Sequence, residues 1–161
     1  MLTIMTHGQA VLTQTAAPVT VFDDALRALA DEMLQTMKAA NGVGIAAPQV
    51  NRSVQLFIMA SNPNPRYPDA PVMPPQVVIN PQVLRCSTEM VDGDEGCLSL
   101  PGERCSILRH QALEVRYQDL TGEWCQEQLT GFIARIFQHE FDHLNGITLR
   151  ERLALQQETQ Q

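Results

Sequence analysis

Apolar residues recur along this chain with two different periods. Between Asp23 and Asn41, Leu26, Leu29, Ala30, Met33, Leu34 and Met37 recur at helical spacing. The pattern predicts a helix capped by Asp23 or Asp24 and ended near Asn41-Gly42, with Met33 and Met37 on its core face. Val54–Ala60 reads as a strand, and Val77–Ile79 and Val83–Arg85 as two short ones. Leu113–Tyr117 and Trp124–Leu129 alternate on either side of Asp119-Leu120-Thr121-Gly122, which predicts a hairpin. Further on, Phe132, Ile133, Ile136, Phe137, Phe141 and Leu144 describe a helix that is apolar nearly all round, opened by Gly131 and closed by Gly146. Such a helix belongs at the centre of a molecule. Asn62–Pro75 has neither period and holds six of the ten prolines, so a surface loop is expected there, a plain insertion rather than a binding lid. The elements add up to an α+β fold of mostly antiparallel strands packed around a central buried helix, in a single domain over residues 1–161.

Composition narrows the function classes. An apolar content of 44% over 161 residues is ordinary for a globular domain with a sizeable core. A net charge of −7 argues against nucleic acid as a main partner. No run approaches the roughly 20 apolar residues of a membrane span. The first residues lack a basic stretch followed by an apolar one, and four cysteines fit a reducing compartment, so a cytoplasmic location is expected.

The chemistry starts inside the apolar helix, at Gln138-His139-Glu140-Phe141-Asp142-His143. Residues at i and i+4 share a helix face, so His139 and His143 can turn two imidazoles towards one metal ion. Glu140 projects beside them, within reach of a proton on a water at that ion. A buried helix that happens to carry two histidines and an acid is the plain alternative. A catalytic site of this type takes three protein ligands. The candidates for the third include Cys86, Cys97, Cys105, Cys125, His7, His110 and the carboxylates. Cys97 is favoured by its setting, Glu95-Gly96-Cys97-Leu98-Ser99-Leu100-Pro101-Gly102, where flanking glycines allow close approach of the backbone. A third segment, Gly42-Val43-Gly44-Ile45-Ala46-Ala47-Pro48-Gln49, ends in a side-chain amide donor. It lacks the lysine and spacing of a phosphate-binding loop, and alone it reads as a structural turn.

Together the three segments resemble the motifs of the peptide deformylase family: Gly42–Gln49, Glu95–Ser99 and Gln138–His143 occur in that family's order at similar intervals, and the likeness extends over about residues 10–150. The resemblance implies hydrolysis of N-formyl-methionyl peptides to formate and a free amine. It implies Cys97, His139 and His143 as ligands of one divalent metal ion, Fe(II) natively, with Zn, Ni or Co as substitutes. It implies Glu140 as general acid and base, and the Gln49 amide and Leu98 backbone N–H as oxyanion donors. Val43, Gly44 and Gly96 match positions that hydrogen-bond the peptide main chain. Arg104 matches an arginine near the substrate backbone. Phe132, Arg135 and Ile136 fall at the methionine pocket.

Two departures bear on that reading. Only eighteen residues follow His143, ending in Gln156-Gln157-Glu158-Thr159-Gln160-Gln161; a long ribosome-docking C-terminal helix, present in some family members, is not expected. Arg135 stands one turn before His139, where the family usually has an apolar residue. A lone guanidinium in an apolar pocket is too costly to bury, so it is expected to bend to the rim, towards an acidic partner. An active deformylase, a metallopeptidase of the broader H-E-x-x-H type and a metal-binding paralogue with altered substrate preference are the competing functions. Cys97 and Gln49 argue against the second, Glu140 against a paralogue without turnover.

Overall fold

The computed structural model describes residues 1–159. Three α-helices and seven strands follow the order α1 (Asp24–Ala39), β1 (Gly44–Ala46), β2 (Leu56–Ser61), β3 (Met73–Cys86), β4 (Met90–Cys97), β5 (Leu100–His110), β6 (Ala112–Gln118), β7 (Trp124–Thr130), α2 (Gly131–Leu144) and α3 (Leu149–Thr159). The strands form a five-stranded sheet in the order β1-β2-β3-β6-β7 and a separate β4-β5 pair, antiparallel throughout. The α+β expectation is met.

Helix α1 starts where Asp23 caps it, its Oδ1 accepting the Leu26 N–H at 3.0 Å. Its predicted apolar face is the buried one: Leu26, Leu29, Ala30, Met33 and Met37 pack with Ile45, Leu56, Ile58 and Ile79 of the sheet. The chain leaves α1 through Asn41, in the left-handed region at φ 57°, and so delivers Gly42 and Val43 towards the centre. Helix α2 is the central helix that the apolar pattern predicts. Ala134, Ile136, Phe137 and Leu144 are buried against Phe57, Val78, Val115 and Leu129, and Phe137 meets Phe57 edge-on at 5.2 Å. Gly146 ends this region at φ 72°, and a Cβ there would lie 2.7 Å from the Thr13 backbone. Both conditions select glycine.

Three elements differ from the sequence pattern. The two short strands expected at 77–79 and 83–85 are parts of one strand, β3, whose register shifts twice against β6. Pro81, between them, interrupts the alternation without ending the strand. The β4-β5 pair has no counterpart in the sequence pattern, because Met90–Cys97 is glycine-rich, acidic and half exposed, so it shows no apolar alternation. Helix α3 buries only Leu149 among its residues, which leaves no amphipathic signal to read. It is short and folds back, with Leu149 and Leu153 against Leu100 and Ile107 of β5. Among the described residues no helix is long and apolar enough to cross a membrane.

Candidate metal centre and active site

Strand β4 ends at Cys97, and its antiparallel partner resumes at Leu100, so Leu98 and Ser99 form a two-residue turn that points the thiol inward. Helix α2 presents His139 and His143 one turn apart, their rings 5.2 Å apart. The ligand atoms of Cys97, His139 and His143 all lie within 4.8 Å of one another. The Cys97 Sγ to His143 Nε2 distance is 3.4 Å. A tetrahedral ion with bonds of about 2.3 Å to sulfur and 2.0–2.1 Å to nitrogen separates adjacent donors by roughly 3.5 Å. One thiol sulfur and two imidazole nitrogens converging at that spacing fit a divalent metal. Cys86, Cys105, Cys125, His7 and His110 do not join the cluster.

The surroundings fix which atoms face the centre. His139 Nδ1 is 2.9 Å from Glu95 Oε1, so its Nε2 is the free donor. Glu95 is held in turn by Arg109, at 2.9 Å to each carboxylate oxygen, and by Arg135 Nη1 at 2.6 Å. Arg109 also donates to Asp142 at 2.7 Å, and Asp142 accepts twice more from Arg152 of α3, at 2.9 and 2.7 Å. Buried charges of alternating sign thus run from the metal ligand to the last helix. Burial would raise the Glu95 pKa, but its bonds to Arg109 and His139 outweigh that and hold it well below the usual carboxylate range. For Cys97 burial again works upward. The charge of His143 and hydrogen bonding by both histidines outweigh it, so the group favours the thiolate.

Glu140 is buried beside the donors, and its Oε1 has no hydrogen-bond partner among the described residues; the same holds for His143 Nδ1. Burial pushes the Glu140 carboxyl up to about 7, against the lowering effect of His139 and His143. A carboxyl poised there can both accept and return a proton near neutrality. Gly44 makes room for it, since a Cβ at that position would lie 2.7 Å from Glu140 Cδ. Gln49 is fixed by its own hydrogen bonds. Its Oε1 accepts the Ala46 N–H at 2.9 Å, and its Nε2 donates to Ser99 Oγ at 3.0 Å and faces Cys97 Sγ at 3.6 Å. The amide is thereby aimed along the edge of the donor cluster.

An open cavity reaches these groups. Its walls include Val43, Gly44, Gln49, Gly96, Leu98, Phe132 and Ile136 beside Cys97, His139 and Glu140, so all the site residues expected from the sequence except His143 and Arg104 share one space. The carbonyl of Val43 already accepts the Ala60 N–H at 2.8 Å. Arg104 is not part of the cavity wall. It pairs with Asp94 at 2.5 Å and stacks over the Tyr67 ring, 5.2 Å from its centroid.

Arg135 lines the cavity, and its acidic partner is Glu95. The head does not reach a rim, however. It is nearly buried and also donates to the carbonyls of Ile107 at 2.9 Å and Val91 at 2.6 Å. Its Nη1 and Nη2 groups find backbone and carboxylate acceptors on the β4-β5 pair, which offsets the penalty that motivated the rim expectation. The plain-insertion reading of residues 62–75 also needs correction, because Arg66 and Tyr67 line the cavity. Sequence reading passed over Arg109, Asp142, Arg152 and Ser99. Asp142 lay in view within the helix motif, and a ligating histidine implies an acceptor for its second nitrogen. Arg109 carried no local signal.

A family model described as polypeptide deformylase matches residues 1–159. Peptide deformylase 2 of Shewanella oneidensis is 59% identical over 94% of this chain and 83% of its own length, and peptide deformylase 2 of a Nostoc species is 51% identical over 95% and 86%. The crystal structure of a class I type b peptide deformylase from Acinetobacter baumannii, bound to Met-Ala-Ser, superposes with a TM-score of 0.92 at 49% identity, covering 94% of this chain and 98% of that one. On the match of its whole described length and on these relatives, the chain belongs to the polypeptide deformylase family.

Proposed function

We propose that this chain is a metal-dependent hydrolase that removes the formyl group from the N-terminal formyl-methionine of nascent polypeptides, releasing formate, with Cys97, His139 and His143 as ligands and Glu140 as the proton-transfer group. The observation that carries the assignment is the convergence of one sulfur and two imidazole nitrogens beside a buried carboxylate oxygen that has no other partner among the described residues. A divalent ion held by these three ligands would supply Lewis acidity there. Glu140 takes the proton of the water and returns it to the leaving amine as the formamide C–N bond breaks. Gln49 Nε2 and the Leu98 N–H donate to the oxygen on which negative charge develops, and removing one such donor costs about 2.7–4 kcal/mol of barrier. Phe132 and Ile136 offer the methionine side chain an apolar wall.

Fe(II) is our assignment for the native ion, following the family resemblance; the mixed sulfur and nitrogen set accepts Zn, Ni or Co as well. N-formyl-methionyl peptides are the partners. We place the enzyme in the cytoplasm, where its four free cysteines stay reduced. We propose no ribosome contact for α3, whose Leu149 and Leu153 are engaged with β5.

The test is formate release from formyl-Met-Ala-Ser, measured anaerobically with iron and then with nickel. Turnover with both, abolished by chelation, is expected. Hydrolysis of internal peptide bonds in place of formate release would favour an ordinary metallopeptidase.

A further inference from the structure

The loop between β2 and β3 turns inward at Arg66 and Tyr67, which reach the same cavity as the metal donors. The turn is well fixed. Asn64 Oδ1 accepts the backbone N–H groups of Arg66 and Tyr67 at 3.0 and 3.1 Å, and the Ala70 N–H donates to the Tyr67 carbonyl at 3.2 Å, with Ala70 itself buried. The Tyr67 ring lies 4.8 Å from that of Phe132, and the Arg104 guanidinium stands over it. Tyr67 therefore bridges α2 and β5 and closes one side of the apolar wall.

Arg66 is in a different situation. The two arginines around it are engaged, Arg104 with Asp94 and Arg135 with Glu95. The exposed Arg66 side chain has neither an ion-pair nor a hydrogen-bond partner among the described residues, although its backbone is anchored. A second, open cavity shares Gly42 and Val43 with the first and is lined by Asn62, Asn64 and Met73 from the same loop and the strand it enters. With the formyl group at the metal donors, the later residues of a formyl-methionyl peptide would have room to leave along this loop.

We infer that Arg66 and Tyr67 are specificity residues of this site: Tyr67 walls the methionine pocket together with Phe132, and Arg66 pairs with a carboxylate on the second or third residue of the formyl peptide. This inference rests on the deformylase reading. A guanidinium on a fixed backbone with no competing internal acid favours a carboxylate and disfavours an ammonium at the same place. Solvent exposure keeps the effect modest.

The experiment compares kcat/KM for formyl-Met-Ala-Ser amide and for variants with Asp or Lys at the second or third position. The amide removes the terminal carboxylate as a competitor. Wild type should favour Asp over Lys at one of these positions by about threefold or more. Arg66→Gln should shrink the ratio towards one, Arg66→Glu should reverse it, and added salt should weaken it. Tyr67→Ala should raise KM several-fold more than it lowers kcat, and Tyr67→Phe should restore KM, because the ring makes the contacts. Equal rates for Asp and Lys at both positions, or one ratio common to all three Arg66 proteins, would overturn the inference while leaving deformylation intact. Absence of formate from every peptide would instead overturn the deformylase reading, and this inference with it.

Discussion

Glu95 Oε1 sits 2.9 Å from His139 Nδ1, so the residue that opens the cysteine motif orients a ligand that comes from the helix motif. Glu95→Gln keeps an acceptor for the imidazole but leaves Arg109 and Arg135 facing a neutral amide. Breaking a buried pair from one side costs about 3–5 kcal/mol, and loss of an outer partner of a metal ligand costs about 10–100-fold in metal affinity. Denaturant melts and chelator competition should show both. An unchanged metal affinity would mean that His139 is oriented by packing alone.

Glu140→Gln and Cys97→Ala separate chemistry from coordination. The first should retain metal and fold while losing about 10²–10⁴-fold in turnover. The second should lose most of its metal in elemental analysis, since two imidazoles compete poorly with a chelator. Full occupancy without Cys97 would place the third ligand elsewhere.

Gly44→Ala should impair catalysis more than stability. The new Cβ would lie 2.7 Å from the Glu140 carboxyl carbon, and the φ at this position is not in the left-handed region. The side chain must shift, and displacement by about 1 Å is enough for a loss on the order of 10²-fold. Normal kcat in a well-folded Gly44→Ala protein would show that the Glu140 position is not critical.

Gly93 and Arg135 should be coupled. A Cβ at Gly93 would lie 2.5 Å from Arg135 Cζ. Gly93→Ala should therefore destabilise by about 1–3 kcal/mol in the wild-type background and by much less once Arg135 is alanine. A double-mutant cycle of urea melts measures the difference. Strict additivity would locate the cost in the strand backbone. Arg135→Lys should not restore stability, since a single ammonium cannot span Glu95 and two carbonyls.

Tyr117 predicts a loss of stability in alkali. Burial and the hydrogen bond to the Glu127 carboxylate push its phenol well above the ordinary tyrosine range. An unfolded phenol titrates near about 10. Above that pH the folded state keeps a proton that the unfolded state has released, so this contribution is intact below about pH 10 and falls as pH rises. Glu127→Gln should flatten the slope of the urea midpoint between about pH 9 and 11 and lower the phenolate transition in ultraviolet absorbance. An unaltered slope would assign it to other groups.

His139, His143 and Glu140 were legible because their spacing is set by one helix, and helix periodicity is local. Cys97 was legible through its glycines and its resemblance to a known motif. Arg109 and Arg152 were not, because their value lies in Glu95 and Asp142, acids distant in sequence that only the fold brings near. Arg135 shows the same limit from the other side. Its position on the helix was read correctly, and its acidic partner was anticipated, but the carbonyls of Val91 and Ile107 that receive it belong to a strand pair with no apolar alternation. Proline content marked residues 62–75 as irregular, which is true of most of that segment, but it says nothing about whether an irregular loop faces solvent or a cavity. That was decided by the Tyr67 ring finding Phe132.

The β4-β5 pair shares no strand pairing with the main sheet, yet it delivers the sulfur of the metal centre. Two fasteners hold it to α2. One is the ion, which would bridge Cys97 to histidines more than forty positions along the chain. The other is the run of paired charges from Glu95 through Arg109 to Asp142, which needs no metal. With the second in place, the hairpin is expected to stay seated when the ion leaves. Unlike small metal-nucleated domains that fold only around their ion, this protein should then offer a socket built in advance, in which one metal could replace another without unfolding.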